Sequence, residues 1–263
     1  MNPYRIECPA VISFSGGRSS AYMLYKILEA YDFNLPDDIY VIFCNTGKEM
    51  PQTLRFVADC EKQWGVKIVW LEYSGVKQYK VVNSETASTN GEPFAQLIED
   101  KQYLPNMMAR FCTSELKVLT IERYLKDKVD EFATVVGIRA DEPRRVVKMR
   151  SKENYLVPLA DAQVTEAEIK DFWANHEFDL AMPPAGQNTL SNCDLCFLKG
   201  YSIKQSIVEH NPTLADWWIE QEKKINARFR SDQPSYEKMH VIATDQGQLF
   251  DFDDSTIACF CGD

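Results

Sequence analysis

The sequence predicts an α/β fold in which a parallel, twisted sheet carries helices on both faces and is followed by a C-terminal helical region. In the N-terminal half, short apolar runs alternate with stretches of helical periodicity, which is typical of a parallel sheet covered by helices. After Pro158-Leu159 the pattern becomes mainly helical. We therefore expect an α/β core over residues 1–165. A helical region with a hairpin and a cysteine-bearing tail is expected to pack on it over residues 166–263.

The expected elements follow one another along the chain. Strands are predicted at Ala10 to Phe14, Ile39 to Cys44, Lys67 to Leu71 and Thr134 to Gly137. Helices are predicted at Ser20 to Tyr31, Gln52 to Trp64, Glu115 to Val129, Ser202 to His210 and Leu214 to Phe229. Thr165 and Glu168 predict a capping box for a helix through Trp173. The weakly periodic stretch from Tyr73 to Arg110 predicts a functional lid, and Val241 to Phe252 predicts a closing hairpin.

Composition and charge narrow the class of protein. The 263 residues, 45% of them hydrophobic, are enough to bury a full core. No apolar run approaches the length of about 20 residues that crosses a bilayer, and the start of the chain shows no export signal, so we expect a cytoplasmic protein without a membrane partner. A net charge of -10 argues against a surface coated for nonspecific phosphate-backbone binding. The basic run from Arg139 to Lys152 is the local exception.

A glycine-containing loop lies between the first predicted strand and the first predicted helix. It reads Ser15-Gly16-Gly17-Arg18-Ser19-Ser20. Such a loop lets bare backbone N–H groups and a helix N-terminus face an anion, and the serine hydroxyls add donors. Arg18 either pairs with phosphate or points to solvent. We expect a phosphate-binding loop; the alternative is a glycine turn that only joins strand to helix.

The loop resembles the SGGxDS pyrophosphate loop of N-type ATP pyrophosphatases and sulfonucleotide reductases, with Ser19 at the position of the Asp. Further matching motifs follow in the same order: Asn45-Thr46-Gly47, Pro105-Asn106, Arg110-Phe111-Cys112-Thr113, Leu116-Lys117, Gly137-Ile138-Arg139-Ala140-Asp141-Glu142 and Pro158-Leu159. This ordered set resembles the phosphoadenosine phosphosulfate reductase family over approximately the first two thirds of the chain.

The resemblance implies an adenine nucleotide alpha-hydrolase-like fold that binds ATP or phosphoadenosine phosphosulfate. The phosphates would lie on Ser15 to Ser20, with Mg²⁺ as a companion of ATP, and the adenine near Asn45, Thr46 and Gly47. Gly137 would belong to the same nucleotide site. Arg139, just after the fourth predicted strand, would meet phosphate or sulfate oxygens as a catalytic cation. Lys117, expected in the first turn of its helix, is the second catalytic candidate; the alternative is an exposed helix lysine.

Five cysteines are candidate metal ligands. Cys193 and Cys196 have C-x-x-C spacing, Cys112 stands just before a predicted helix start that would stabilise a thiolate, and Cys259 and Cys261 lie at the chain end. If the tail folds back, Cys112, Cys193, Cys196 and either terminal cysteine supply four thiolates for a 4Fe-4S cluster or for structural zinc. The spacing of the cysteines does not distinguish an iron-sulfur cluster from zinc, and the alternative to a metal site is a set of thiols that bind no metal. The family resemblance favours the iron-sulfur cluster. Cys8, Cys44 and Cys60 are expected as small core residues.

Three functions remain open from the sequence. The first is a sulfonucleotide reductase-like oxidoreductase of sulfur metabolism. The second is an ATP pyrophosphatase-type sulfur transferase that acts on nucleic acid, as in phosphorothioation or tRNA thiolation. The third is a protein that binds the nucleotide without turnover. The expected partners are a small-molecule nucleotide and a protein that donates electrons or sulfur. The sequence does not decide whether the protein also binds nucleic acid or forms a homodimer.

Overall fold

The computed structural model describes residues 2–180 and 193–245. Within these residues six strands form one sheet in the order β4-β3-β2-β1-β5-β6. The strands are β1 (Ala10–Ser13), β2 (Ile39–Cys44), β3 (Ile68–Tyr73), β4 (Tyr79–Val82), β5 (Ala133–Val135) and β6 (Tyr155–Leu156). All neighbours pair in parallel except β3 and β4, which are antiparallel. The predicted α/β fold is confirmed.

Helices cover both faces of the sheet and form the C-terminal part. They are α1 (Arg18–Ala30), α2 (Pro51–Trp64), α3 (Glu92–Lys101), α4 (Phe111–Thr113), α5 (Leu119–Leu125), α6 (Pro143–Arg150), α7 (Pro158–Asp161), α8 (Glu166–Ala174), α9 (Tyr201–His210), α10 (Leu214–Ile225) and α11 (Tyr236–Asp245). A π-helical turn, Ser114–Val118, joins α4 to α5 without a break. Helix formation therefore begins at Phe111, and Lys117 does not lie in the first turn as expected.

The central strands are apolar on both faces because both faces are covered. Ile12 and Phe43 point into a core shared with α1, α2 and α8. Val11 and Ile42, one residue away along the same strands, pack instead against α5. This alternation follows from the two-residue period of a strand, and it explains why the strands read as continuous hydrophobic runs.

A second hydrophobic core lies beside the sheet. It joins residues of α3 and α4, including Phe94, Leu97 and Phe111, to the C-terminal helices, where Trp218 is fully buried. Residues from the middle of the chain thus share a core with residues after position 193.

Three predictions about local structure differ from the structure. The stretch from Tyr73 to Arg110 is not one long connection, because it contains β4 and α3, and its role as a functional lid stays a prediction. Strand β4 has exposed residues at its centre, so its sequence lacks a strong apolar signal. The predicted hairpin begins inside α11, which extends to Asp245; the rest of that hairpin lies outside the described residues. Cys8 is exposed, whereas Cys44 and Cys60 are buried as expected.

The predicted capping box is also wrong in its hydrogen bonds. Thr165 does occupy the N-cap position of α8, but within the described residues its side chain makes no capping bond. The first N–H of the helix, that of Glu166, instead donates to Oδ2 of Asp141 at 3.0 Å. Glu168 accepts a hydrogen bond from the hydroxyl of Tyr22 at 2.8 Å. Tertiary partners therefore replace the local ones.

Candidate functional site

The loop after β1 is closed by its own serines. The hydroxyl of Ser20 donates to the carbonyl of Gly17 at 3.0 Å and lies 2.9 Å from the hydroxyl of Ser15. Gly16 has φ of +77°, the left-handed conformation that favours glycine. Gly17 is the N-cap of α1, so no side chain covers the first turn of this helix from the cap position. The helix N-terminus is thus arranged to receive an anion.

The segment after β5 lies directly against this loop. Chain connections diverge on the two sides of β1, whose neighbours are β2 and β5, and ligands of open α/β sheets bind at such a switch point. A Cβ on Gly137 would lie 2.9 Å from Cα of Ser20, so only glycine allows this approach. Nη1 of Arg139 donates to Oγ of Ser19 at 3.2 Å. The structure therefore brings Arg139 to the loop Ser15 to Ser20.

Carboxylates surround the guanidinium of Arg139. Nε donates to Oδ1 of Asp141 at 2.9 Å, while Glu142 and Glu166 each lie 3.7 Å from a guanidinium nitrogen. Burial acts to raise the pKa of Asp141, but the hydrogen bonds from Glu166 N–H and Arg139 outweigh it and lower that pKa. The result is a polar cluster beside Ser19, in which Arg145 also pairs with Glu142 at 2.5 Å and Lys170 with Glu166 at 2.6 Å.

Arg18 has a protein partner rather than pointing to solvent. Its Nε donates to Oδ1 of Asp179 at 2.7 Å, and a second guanidinium nitrogen contacts Oδ2 of the same carboxylate. The indole of Trp173 donates to the Arg18 carbonyl at 3.1 Å. These contacts hold the side chain in an ion pair and tie the start of α1 to α8 and to the segment that follows it.

The side chains after β2 are engaged by neighbouring segments. The amide of Asn45 donates to Oε1 of Glu72 at 2.6 Å and to the carbonyl of Ser88 at 2.8 Å. The hydroxyl of Thr46 lies 3.0 Å from the carboxylate of Glu49. Gly47, with φ of +78°, lies between them in the chain. A ligand at this strand end would therefore meet mainly backbone groups.

The C-x-x-C segment docks on the same loop. Sγ of Cys193 lies 3.4 Å from the hydroxyl of Thr46, and the N–H of Asp194 donates to the carbonyl of Lys48 at 2.6 Å. Buried charges hold the segment in place: Nζ of Lys48 lies 2.8 Å from Oδ2 of Asp194. Nζ of Lys199 donates to the carbonyls of Cys193 and Asp194 at 2.9 and 2.7 Å.

Cys112, Cys193 and Cys196 belong to one packed cluster. Burial raises the pKa of all three thiols, that of Cys112 to about 12, so the expected stabilisation of a Cys112 thiolate by a helix start is outweighed. The charge of Lys117 acts in the opposite direction on each thiol. Lys117 therefore lies near the cysteines.

The donor chemistry of these thiols suits iron-sulfur or zinc. In residues 2–180 and 193–245, however, no three His, Cys, Asp or Glu side chains are grouped closely enough to hold a metal ion. Cys259 and Cys261 lie outside the described residues. Cys112, Cys193 and Cys196 therefore lie in one region, but the described residues alone do not form a complete set of metal ligands.

The sequence analysis did not identify three residues of this region, Lys48, Glu49 and Asp194. Glu49 is buried against Thr46, and burial raises its pKa while Lys117 opposes the change. Asp194 accepts a hydrogen bond from the indole of Trp218 at 2.8 Å in addition to its ion pair with Lys48. A signal was present for each: Lys48-Glu49 directly follows the strand-end motif, and Asp194 lies inside the C-x-x-C spacing.

No helix in the described ranges is both long and apolar enough to span a membrane.

Comparisons with known proteins match the chain to one family and to two similar proteins. The phosphoadenosine phosphosulfate reductase domain family matches residues 9–177, well over half of the chain. The uncharacterized nin region protein ORF290 of Escherichia phage lambda is 31% identical over 207 residues, which cover 72% of this chain and 66% of that protein. The uncharacterized protein MJ0066 of Methanocaldococcus jannaschii is 30% identical over 153 residues, 57% of this chain and 27% of that protein. The chain thus spans just under two thirds of the first relative and about a quarter of the second.

The matched region contains the serine-glycine loop, Gly137 and Arg139, and the chain belongs to the phosphoadenosine phosphosulfate reductase domain family.

Proposed function

We propose that the chain binds an adenine nucleotide on the loop Ser15 to Ser20 and uses it in sulfur chemistry, as a sulfonucleotide reductase-like enzyme. The observation that carries the proposal is the contact between Arg139 and Ser19 at 3.2 Å, since it places a guanidinium beside an open helix N-terminus. Together they offer backbone N–H donors and a planar cation to one group of phosphate or sulfate oxygens. Gly137 and the Asn45-Thr46-Gly47 strand end would complete the nucleotide site.

Lys117 has a separate role in this proposal. It is half-buried, and its charge favours the ionised forms of Cys112, Cys193 and Cys196 against the effect of burial. A fixed cation in a low-dielectric site stabilises negative charge that develops on sulfur during a transfer step. Arg139 would do the same for the oxygens of the leaving phosphate or sulfate.

Cys112, Cys193 and Cys196, with Cys259 or Cys261, would hold a 4Fe-4S cluster, with zinc as the alternative. When bound, such a cluster supplies electrons or a site for sulfur. Lys199 and Lys48 would then fix the position of two of the ligands, because they hold the backbone and the side chain of the Cys193–Cys196 segment.

The second candidate is an ATP-dependent sulfur transferase, and the carboxylates around Arg139 favour it. One or two of Asp141, Glu142 and Glu166, next to the loop Ser15 to Ser20, would supply hard oxygen ligands to Mg²⁺ that is held mainly by the phosphates of ATP. Titration of ATP and of phosphoadenosine phosphosulfate, each with and without Mg²⁺, separates the two candidates. A transferase binds ATP more tightly with Mg²⁺, whereas a reductase prefers phosphoadenosine phosphosulfate and needs no metal to bind it.

Gly17→Asp tests the nucleotide site itself. Gly17 has φ of -95°, a conformation open to any residue, so the variant is expected to fold. A carboxylate at the N-cap would repel phosphate and fill the space above the helix N-terminus, and we expect loss of measurable nucleotide binding by calorimetry. Unchanged affinity in the folded variant would place the nucleotide elsewhere. Circular dichroism of the variant and the wild type supplies the folding control.

A further inference from the structure

A cavity of about 760 Å³ lies on the sheet face that α5 and α6 flank. Its floor is formed by Ser13 of β1 with Thr134 and Val136 at β5, and its walls by Ile121 of α5 and Met149 of α6. Cavities of roughly 300–1,000 Å³ hold small organic ligands in proteins. This one is large enough for a nucleotide.

The cavity is separate from the loop that the proposed function uses. Among the described residues that line it there are none of Ser15 to Ser20, none of Asn45 to Gly47, and neither Gly137 nor Arg139. The phosphates of a nucleotide held on the loop would therefore not be bound by the side chains that line this cavity. The inference below rests on the proposed function only in its test, in which ATP occupies the loop.

The charge of the cavity opposes that of the whole chain. The chain carries a net charge of -10, but the described lining contributes five cations and only two carboxylates, Glu122 and Glu153. The cations are Arg110, Lys117, Arg145, Lys148 and Lys152. Basic side chains concentrated at one concave site in an acidic protein attract an anion to that site.

Two of these cations mark the place of the anionic group. Lys148 and Lys152 are both exposed and lie one helical turn apart in sequence. Both line the cavity, and burial together with the charge of Lys148 lowers the pKa of Lys152, as expected for neighbouring cations. A phosphate between them would remove the repulsion between these two cations and gain two charge-assisted contacts.

The remaining lining is apolar and partly aromatic. Phe132 and Tyr155 stand at the end of the cavity near the start of β5, and the ammonium of Lys152 lies 4.5 Å from the centroid of the Tyr155 ring. Val118, Ile121 and Met149 add aliphatic surface. Aromatic rings and a flexible thioether next to cations provide what a nucleobase and its phosphate require.

We propose that this cavity binds a second nucleotide, with its phosphate between Lys148 and Lys152 and its base against the apolar floor. The ligand is either a free nucleotide or one unit of a single-stranded polynucleotide, because both present the same phosphate and base. Thr113, the chain neighbour of Cys112, lines the cavity together with Lys117. The second nucleotide would therefore lie beside the cysteine region.

The test uses pyrimidine probes in the presence of saturating ATP. Because ATP occupies the loop Ser15 to Ser20, the measured binding of the probes reports on the cavity alone. The probes are fluorescein-labelled single-stranded oligothymidylate, followed by anisotropy, and UMP, followed by calorimetry. We expect the double variant Lys148→Glu/Lys152→Glu to weaken binding by about tenfold or more, the effect of losing charged hydrogen bonds. Lys62→Glu/Lys67→Glu is the matched control, since both lysines are exposed, neither lines the cavity, and the charge change is the same.

A second variant blocks the space without changing the charge. Thr134→Phe is expected to fill the floor and to abolish probe binding, while ATP affinity stays at the wild-type value. Binding of both probes supports a site for free nucleotides, and binding of oligothymidylate alone supports a polynucleotide. The proposal is overturned if the wild type binds neither probe at millimolar concentration. It is equally overturned if Gly17→Asp removes the probes together with ATP, because a single site would then explain all binding.

Discussion

Gly137 and Ser20 approach so closely that a Cβ on the glycine would lie 2.9 Å from Cα of the serine and 3.1 Å from its nitrogen. Both atoms of Ser20 belong to backbone at the start of α1, which cannot give way as a flexible side chain can. The close approach sets the distance between the loop Ser15 to Ser20 and Arg139. The geometry of the site therefore depends on the absence of a side chain at position 137.

Gly137→Ala should push α1 away from the end of β5. We expect the free energy of unfolding to fall by about 1–3 kcal/mol, as for other overpacked positions, and nucleotide affinity to fall with it. Urea unfolding and calorimetry measure the two effects. Gly65→Ala is the control, because Gly65 has φ of +61° with no atom within 4 Å of its Cβ position. It should lose about 1 kcal/mol of stability through strain alone and keep its affinity. Equal affinities in both variants would contradict the predicted role of Gly137.

Arg139→Lys should weaken nucleotide binding although the charge is kept. A lysine presents a point charge and cannot hold Ser19, Asp141 and a phosphate oxygen in one plane. We expect roughly a tenfold loss of affinity, which corresponds to one charged hydrogen bond. Arg150→Lys serves as the comparison, since Arg150 pairs with Asp161 at the surface. If both variants bind alike, Arg139 does not contact the nucleotide.

Cys196→Ser should lower the metal content of anaerobically purified protein. Iron, sulfide and zinc analysis of the wild type is expected to give about four irons and four sulfides per chain, because the thiols would hold a 4Fe-4S cluster. Loss of one thiolate ligand should lower this content and bleach the visible absorption. Cys8→Ser, at an exposed cysteine, should leave both unchanged. Full metal content in Cys196→Ser would remove the C-x-x-C pair from the site, and zinc in the wild type would replace the cluster by a structural metal.

Stability should depend on the protonation of His176. The ring stacks on Phe172 with centroids 4.7 Å apart, and burial lowers its pKa below the ordinary value of 6.5 despite the opposing charges of Glu177 and Asp179. Below pH 6.5 the unfolded chain then binds more protons than the folded one, so the free energy of unfolding declines as pH falls through this window. His176→Phe should remove that part of the decline between about pH 7.5 and about pH 5.5 in urea unfolding. His210→Phe, at an exposed position, should keep it.

The sequence predicts elements that have a strong periodic pattern, but it does not predict contacts between residues that are far apart in the chain. Strands β1, β2, β3 and β5 were found because they are buried runs between helices, whereas β6 has two residues and gives no period. At the site, the loop Ser15 to Ser20 was recognised from its local chemistry, and its identity as the nucleotide site stays a prediction. The pairing of Arg18 with Asp179 was not foreseen because 161 positions separate the partners.

The cap of α8 and the buried charged residues are also determined by contacts that the sequence does not reveal. Thr165 and Glu168 satisfy a local rule, yet Asp141 supplies the hydrogen bond to the start of α8 from another part of the chain. Burial of Glu49 and of the Cys193–Cys196 segment likewise arises from the docking of distant segments. Sequence patterns report periodicity and spacing, but they do not report which charges meet after folding.

The core shared by α3, α4 and the C-terminal helices bears on where this chain can be cut. The family match ends at residue 177, but Phe94, Leu97 and Ile98 within it are buried against residues after position 193. A fragment that stopped at the end of the match would turn these side chains into an exposed apolar patch and would aggregate rather than bind nucleotide. The end of the family match is therefore not the boundary of a closed hydrophobic core, and a fragment used for binding studies should include the helices after position 193.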